Sequence, residues 1–337
     1  MDLDTFITRL YVWIDDWYKA ELAAQIVRRH GPEPKMSDSE VLTVAIAGQW
    51  RRGVPWDSER GVVRYMQTSG RQWFPNMLKR SRYNERVRNL CTVFMQLQQA
   101  LAKQLGHAQD CYEVVDCLPL PSCSNAQAKK QGHWLWWGTW GHGGTGGGIY
   151  WGDQAIVSVT QAYAITGWLI GPAHTDDRAL LQVLLSQRQG HAAFLTPTPW
   201  RPWRQLAAPS FVGPLSAAGS APLAATYLGD KGFNGYRWQT HWYTHYAVSV
   251  LTPPKRDTRV KAWPRSWRRW FASCRQRVET IFAVLSQVFA VKQLRAHSRW
   301  GQWTRFALAT AAFNWGLWLN RFMRRPDLSH ETLIDYV

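Results

Sequence analysis

Three acidic residues stand in settings that suit metal-assisted phosphodiester chemistry. Asp116 follows the apolar run Val114-Val115 and falls at the C-terminal edge of a predicted strand. Asp230 ends a second short strand in Leu228-Gly229-Asp230-Lys231-Gly232-Phe233. Glu279 lies on a helix whose apolar stripe is Val278, Ile281, Phe282, Leu285, Val288 and Phe289. Functional groups gather at strand ends in open α/β sheets, and an acid on a helix crossing that edge can join them. Converging carboxylates suit hard divalent cations, and two such ions about 3.5–4 Å apart stabilise the attacking and leaving oxygens of an in-line phosphoryl displacement. Each acid alone is ordinary. An Asp after a strand usually serves a turn, and Glu279 with Arg275 four residues earlier makes a helix ion pair.

The chain around Glu279 adds the charge that such chemistry needs. Between Lys255 and Arg325 there are 16 Lys or Arg residues against Asp257 and Glu279, so most of the net charge of +17 sits in this segment. Its first third, Lys255 to Arg277, includes Lys255, Arg256, Arg268, Arg269, Arg275 and Arg277, interleaved with Trp263, Trp267 and Trp270. Cations that track a phosphate backbone and rings on which bases stack are a nucleic-acid-binding combination, with binding that weakens steeply as salt rises. The alternative is a solvated basic face whose tryptophans pack inward.

The scaffold for these residues falls into two parts. Residues 1 to about 107 have helical patterning. Ser37 and Glu40 have the spacing of a capping box, with Met36 positioned to staple onto Val41. Pro32 and Pro34 keep the preceding chain out of helix. A helix is expected after Ser81, with Val87, Leu90, Phe94, Leu97 and Leu101 on one face and Gly106 at its end. From Tyr112 onward, strands and helices alternate. Tyr112 to Cys117 is expected as a buried strand that Pro119 and Pro121 stop. Gly138 to Gly152 lacks the Gly-Lys-Ser/Thr ending of a phosphate-cradling loop and is expected as a hairpin turn or loop. Ala155 to Ile165 and Gly167 to Gly171 follow as strands, and Thr175 or Asp176 can cap a helix bearing Leu180, Leu181 and Leu184. Residues 190–222 form an irregular insertion. Strands at 226–230 and 247–252 and helices at about 270–290 and 302–324 complete a mixed α/β domain with a central sheet.

Composition narrows the alternatives. With 337 residues, 46% hydrophobic and no biased tract, the chain is globular. Five cysteines without a close pair fit a reducing compartment better than a disulfide framework. No basic segment precedes an apolar run at the N-terminus, and Phe306 to Leu319 is too short to span a bilayer, so a cytoplasmic location is expected. Cys111, Cys117 and Cys123 with His133 or His142 raise the alternative of zinc, but a six-residue spacing is not a standard zinc spacing.

Several segments together resemble the DDE transposases of bacterial insertion sequences. Met36-Ser37-Asp38-Ser39-Glu40-Val41 is similar to an N-terminal helix of that family, and Phe74-Pro75 with Arg80-Ser81-Arg82-Tyr83-Asn84-Glu85-Arg86 to a second segment. Val115-Asp116-Cys117-Leu118-Pro119 resembles its first-acid strand. Gly229-Asp230-Lys231-Gly232-Phe233 resembles the second-acid motif, with Phe for Tyr, and Arg275-Gln276-Arg277-Val278-Glu279-Thr280-Ile281-Phe282 the helix bearing the third acid.

The resemblance implies an all-helical N-terminal domain for DNA binding or dimerisation over 1–107. It also implies an RNase H-like mixed sheet flanked by helices over 108–325, with residues 326–337 as a tail. It makes Asp116, Asp230 and Glu279 the catalytic and metal-binding triad for two Mg²⁺ or Mn²⁺ ions. Arg275, Lys231, Arg277, Arg268, Arg269, Lys255 and Arg256 are then the DNA-contacting candidates, and His174 and Asp177 match a further His-Asp feature of relatives. The implied activity is hydrolysis at element ends followed by 3′-hydroxyl strand transfer into target DNA, by a homodimer associated with the nucleoid. Ala272 and Ser286 stand where relatives often have Tyr and Lys. That departure keeps a second expectation open, a decayed or co-opted protein that binds DNA without cutting it.

Overall fold

The structure is a computed structural model that describes residues 1–22, 34–106, 110–130, 138–143, 147–188, 225–254, 263–294, 296 and 298–335. The expected insertion at 190–222, Pro32, His133, Lys255 and Arg256 lie outside the described residues. Five helices come first: α1 (Leu3–Glu21), α2 (Asp38–Ala47), α3 (Glu59–Gln67), α4 (Arg80–Asn89) and α5 (Cys91–Gln104). The capping box forms as its spacing implies: Ser37 accepts from the Glu40 amide, and Glu40 accepts from the Ser37 amide. The single helix expected after Ser81 is instead two, α4 and α5. They meet at Leu90, whose φ of −91° and ψ of 12° leave helical geometry for one residue. The apolar stripe passes through this break without a trace, because Val87, Leu90, Phe94, Leu97 and Leu101 are buried on both sides of it. Gly106, at φ 82°, ends the run.

Next come β1 (Glu113–Cys123), α6 (Asn125–Lys130), β2 (Thr139–His142), β3 (Ile149–Thr160), β4 (Ile165–Pro172) and α7 (Asp177–Arg188). The chain continues with β5 (Thr226–Leu228), α8 (Tyr236–Tyr246), β6 (Ser249–Leu251), α9 (Arg265–Gln287) and α10 (Arg299–Phe322). The glycine-rich stretch does enclose a hairpin, with β2 antiparallel to the start of β3. Strand β3 also pairs antiparallel with β4 and with β1. Beyond β1 the sheet turns parallel, through β5 to β6.

Strand β1 corrects the expectation that two prolines would stop it. It runs on through Pro119 and Pro121, paired with Gln154 and Gly152 of β3. Two residues apart, the two prolines present their nitrogens to the same edge. On the other side of β1, β5 pairs only as far as Val114, so beyond that point β1 is an edge strand among the described residues, where proline is tolerated.

Alternation along the strands loads both faces of the sheet. Val114, Leu118, Val157 and Val159 join a buried cluster with Val278, Ile281, Leu285, Phe306 and the N-terminal helices. Val115, Ile156 and Leu169 pack with Leu180, Leu181, Leu184 and Trp242 on the other side. Buried Asn314 of α10 ties three elements together, donating to the carbonyls of Gln98 (3.0 Å) and Ile165 (2.9 Å) and accepting from the Ile165 amide (3.0 Å). The last described residues return to the first: Leu333 and Ile334 are buried, and the Asp335 amide donates to the Met1 carbonyl at 2.9 Å. Among the described residues, no helix is long and apolar enough to cross a membrane.

Candidate active site

Sheet register brings two of the three expected acids side by side. Val114 of β1 pairs with Leu228 of β5 in parallel, so two residues further on Asp116 and Asp230 stand level on neighbouring chains. Asp230 leaves the sheet at once. Its carboxylate accepts from the Gly232 amide at 2.7 Å and caps a single 3₁₀ turn, Lys231–Phe233. Asp116 stays in the strand with a side chain only 19% exposed, accepting from the Cys117 amide at 2.9 Å. Burial above all pushes its carboxyl up to about 6, and the charge of Asp230 adds to the rise while Arg275 opposes it.

Helix α9 supplies the rest. Phe271, Cys274, Val278, Ile281 and Leu285 form its buried stripe. Its next face, Arg268, Ala272, Arg275 and Glu279, lines an open groove of about 430 Å³ together with Pro253 and Trp263. Arg275 lies between two acids: its Nη2 is 3.2 Å from Asp116 Oδ2 and 3.9 Å from Glu279 Oε1. Glu279 itself is 62% exposed and meets the cluster only through this guanidinium.

The other expected DNA-contacting residues divide. Arg268 shares the groove with Arg275, while Arg269 and Lys231 are exposed. Arg277 belongs to a different face of α9, where it donates to the Tyr112 hydroxyl at 2.9 Å. Trp267 and Trp270 are exposed one turn apart. Ala272 is exposed in the groove, and Ser286 is half-buried with no hydrogen-bond partner for its hydroxyl among the described residues. His174 is exposed. On the zinc alternative, Cys117 and Cys123 sit six residues apart on one strand, hence about 20 Å apart, too far to share an ion.

Asp177, the acid of the His-Asp match, lies close to Asp230. Asp176, just before it, caps α7 by accepting from the Arg178 amide at 2.8 Å, which frees Asp177 from that duty. A Cβ on Gly232 would stand 2.8 Å from Asp177 Oδ2 and 2.9 Å from Asp230 Oδ1, so the two carboxylates flank one point that only a glycine leaves open. The Cys117 thiol donates to Asp177, whose carboxyl is pushed up by burial and, further, by the Asp230 charge. Beside the His-Asp resemblance, the sequence held a second hint of this, a glycine two residues after Asp230.

Among the described residues, no group of three or more His, Cys, Asp or Glu side chains is placed to hold a metal ion. Asp116 and Asp230 supply the oxygen donors that a hard cation takes, and they crowd enough to raise Asp116, a strain that a cation relieves. Glu279 is turned to Arg275 instead. No family model, no curated protein and no solved structure matches the chain. The chain is therefore a mixed α/β protein whose central sheet carries Asp116 within β1 and Asp230 just past the end of β5, beside a basic helix.

Proposed function

We propose that the chain is a DDE-type transposase on an RNase H-like sheet, cutting DNA at element ends and joining the freed 3′-hydroxyl to target DNA. The observation that carries this reading is the level pair Asp116 and Asp230, with Arg275 and Glu279 of α9 across the same edge. The strand order β4-β3-β1-β5-β6, antiparallel then parallel, supports the RNase H-like assignment. Asp116, Asp230 and Glu279 are the residues that would hold Mg²⁺ or Mn²⁺. When bound, two such ions supply Lewis-acid stabilisation of the attacking and leaving oxygens.

The protein's own groups then have separate tasks. Arg275 holds Asp116 charged in a buried setting and is placed to exchange that contact for a phosphate. Arg268 in the groove and the exposed Arg269 and Lys231 neutralise backbone phosphates, and Trp267 and Trp270 offer faces for stacking. The working form is a homodimer on DNA in the cytoplasm, at the nucleoid.

The test is labelled DNA carrying the element's own ends, incubated with Mg²⁺ or Mn²⁺. Wild-type protein should release 3′ ends, and Asp116→Ala, Asp230→Ala or Glu279→Ala should abolish release while sparing binding. Cleavage retained in all three variants rejects the triad. A second reading, DNA binding without cutting, is favoured by one observation: Arg275 already occupies the space between Asp116 and Glu279. Salt-sensitive binding with no metal-dependent cleavage would select it.

A further inference from the structure

Helix α8 carries a feature that the carboxylate site does not use. His241 and His245 are four residues apart on this helix and so share one face, with ring centroids 4.2 Å apart and planes inclined at 49°. His245 is exposed and His241 half-buried beside Tyr246, whose ring centroid is 6.1 Å away. The Tyr246 hydroxyl is engaged by Gln182 of α7, which fixes that ring. Neither imidazole hydrogen-bonds to another described residue. Burial and then the neighbouring ring lower the pKa of His241, which favours the neutral form that ligates metals. His245 also lies in the last turn of α8, where unpaired carbonyls favour a cation. Arg237, one turn before His241, is exposed on a long side chain and can turn toward solvent.

We propose that His241 and His245 form a two-point chelate for a borderline divalent transition metal of the Zn²⁺ or Ni²⁺ class, with water completing the coordination. Paired imidazoles suit such ions, whereas carboxylates suit Mg²⁺ and Mn²⁺, so this site and the Asp116–Asp230 site select different metals. With two protein ligands rather than four, the ion is exchangeable and keeps positions open.

The test is calorimetric titration of the full chain with Ni²⁺ in excess Mg²⁺, which keeps the carboxylates occupied. Wild-type protein should bind one equivalent in the micromolar range. His241→Ala and His245→Ala should each weaken that site more than about tenfold, since even outer-shell changes cost 10- to 100-fold. In ¹⁵N spectra of the histidine rings, equimolar Zn²⁺ should shift His241 and His245. A double variant that binds Ni²⁺ as tightly as wild type, or ring signals of these two histidines that stay still, overturns the proposal. Asp230→Ala should leave the Ni²⁺ site unchanged.

Discussion

Strand β1 holds two acids three residues apart that live under opposite rules. Glu113 faces α7 and is fully buried. Its two oxygens take Arg188 Nη1 at 2.5 Å and Nη2 at 2.8 Å, and Arg188 also donates to the Tyr227 hydroxyl at 2.7 Å. Asp116 faces α9, has one cation at 3.2 Å on a single oxygen, and crowds against a second acid. The first arrangement satisfies its charges with fixed, two-point geometry. The second leaves charge under-compensated at a place where solvent and a ligand can enter. Stability is concentrated at the start of the strand, and the proposed reactivity three residues later.

The largest expected effect falls on the satisfied pair. Arg188→Met strands Glu113 in the core and should cost about 3–5 kcal/mol, seen as a large fall in Tm. The double variant Arg188→Met, Glu113→Leu should recover most of it, because two well-packed apolar side chains replace a buried pair nearly evenly. A single variant that melts within a degree or two of wild type would show that the pair contributes no more than a surface ion pair.

Next is Gly232→Ala. The added methyl falls 2.8 and 2.9 Å from the Asp177 and Asp230 oxygens, so the turn must shift. A cost of about 1–3 kcal/mol is expected in denaturant unfolding, together with loss of the proposed metal-dependent cleavage. Unchanged stability would mean that Asp177 simply swings away and has no fixed place beside Asp230.

These differences explain which parts were legible in sequence. Asp230 could be found because it follows a short apolar strand and Asp116 because it follows Val114-Val115, although β1 runs on past it to Cys123, and the parallel register then set them level. Glu279 could be found from its helix stripe, yet its distance from the pair could not, since that depends on which way the Arg275 side chain lies. Asp177 was marked in sequence through the His-Asp resemblance, but its contact was not, because that depends on the fold of the turn at Gly232. The run of β1 through Pro119 and Pro121 was hidden for a similar reason: proline forbids a central strand, and only the sheet reveals that β1 becomes an edge there. The break at Leu90 leaves the apolar pattern intact and so leaves no sign in the sequence. The Glu113–Arg188 pair joins residues 75 positions apart, with no local pattern to announce it.

A smaller effect, of the opposite sign, is expected at Asp116. Its carboxyl titrates near 6 in the folded chain, above the ordinary value of 3.8, so the folded state binds more protons than the unfolded one between those limits. Stability from this group therefore falls as pH rises from about 4 to 6. Asp116→Asn should remove that fall and raise stability at pH 7.5, with no gain at pH 3.5, while the proposed cleavage is lost. Destabilisation at both pH values would show that the carboxylate is a structural partner like Glu113.

The smallest effect on stability belongs to Arg275→Gln, and it is the sharpest divide between the two ends of the strand. The guanidinium is 26% exposed and makes one hydrogen-bonded ion pair and one longer one, so unfolding should change by less than about 1 kcal/mol, within the range of partly exposed ion pairs. Its electrostatic effect is larger, because Arg275 is the charge that holds Asp116 down against burial and Asp230. In the variant the Asp116 carboxyl should titrate above its wild-type midpoint, followed by the ¹³C shift of that side chain. DNA binding should weaken with a shallower salt slope, since one phosphate-neutralising cation is gone. If the midpoint stays where it was, burial alone governs Asp116, and Arg275 is a bystander at this edge.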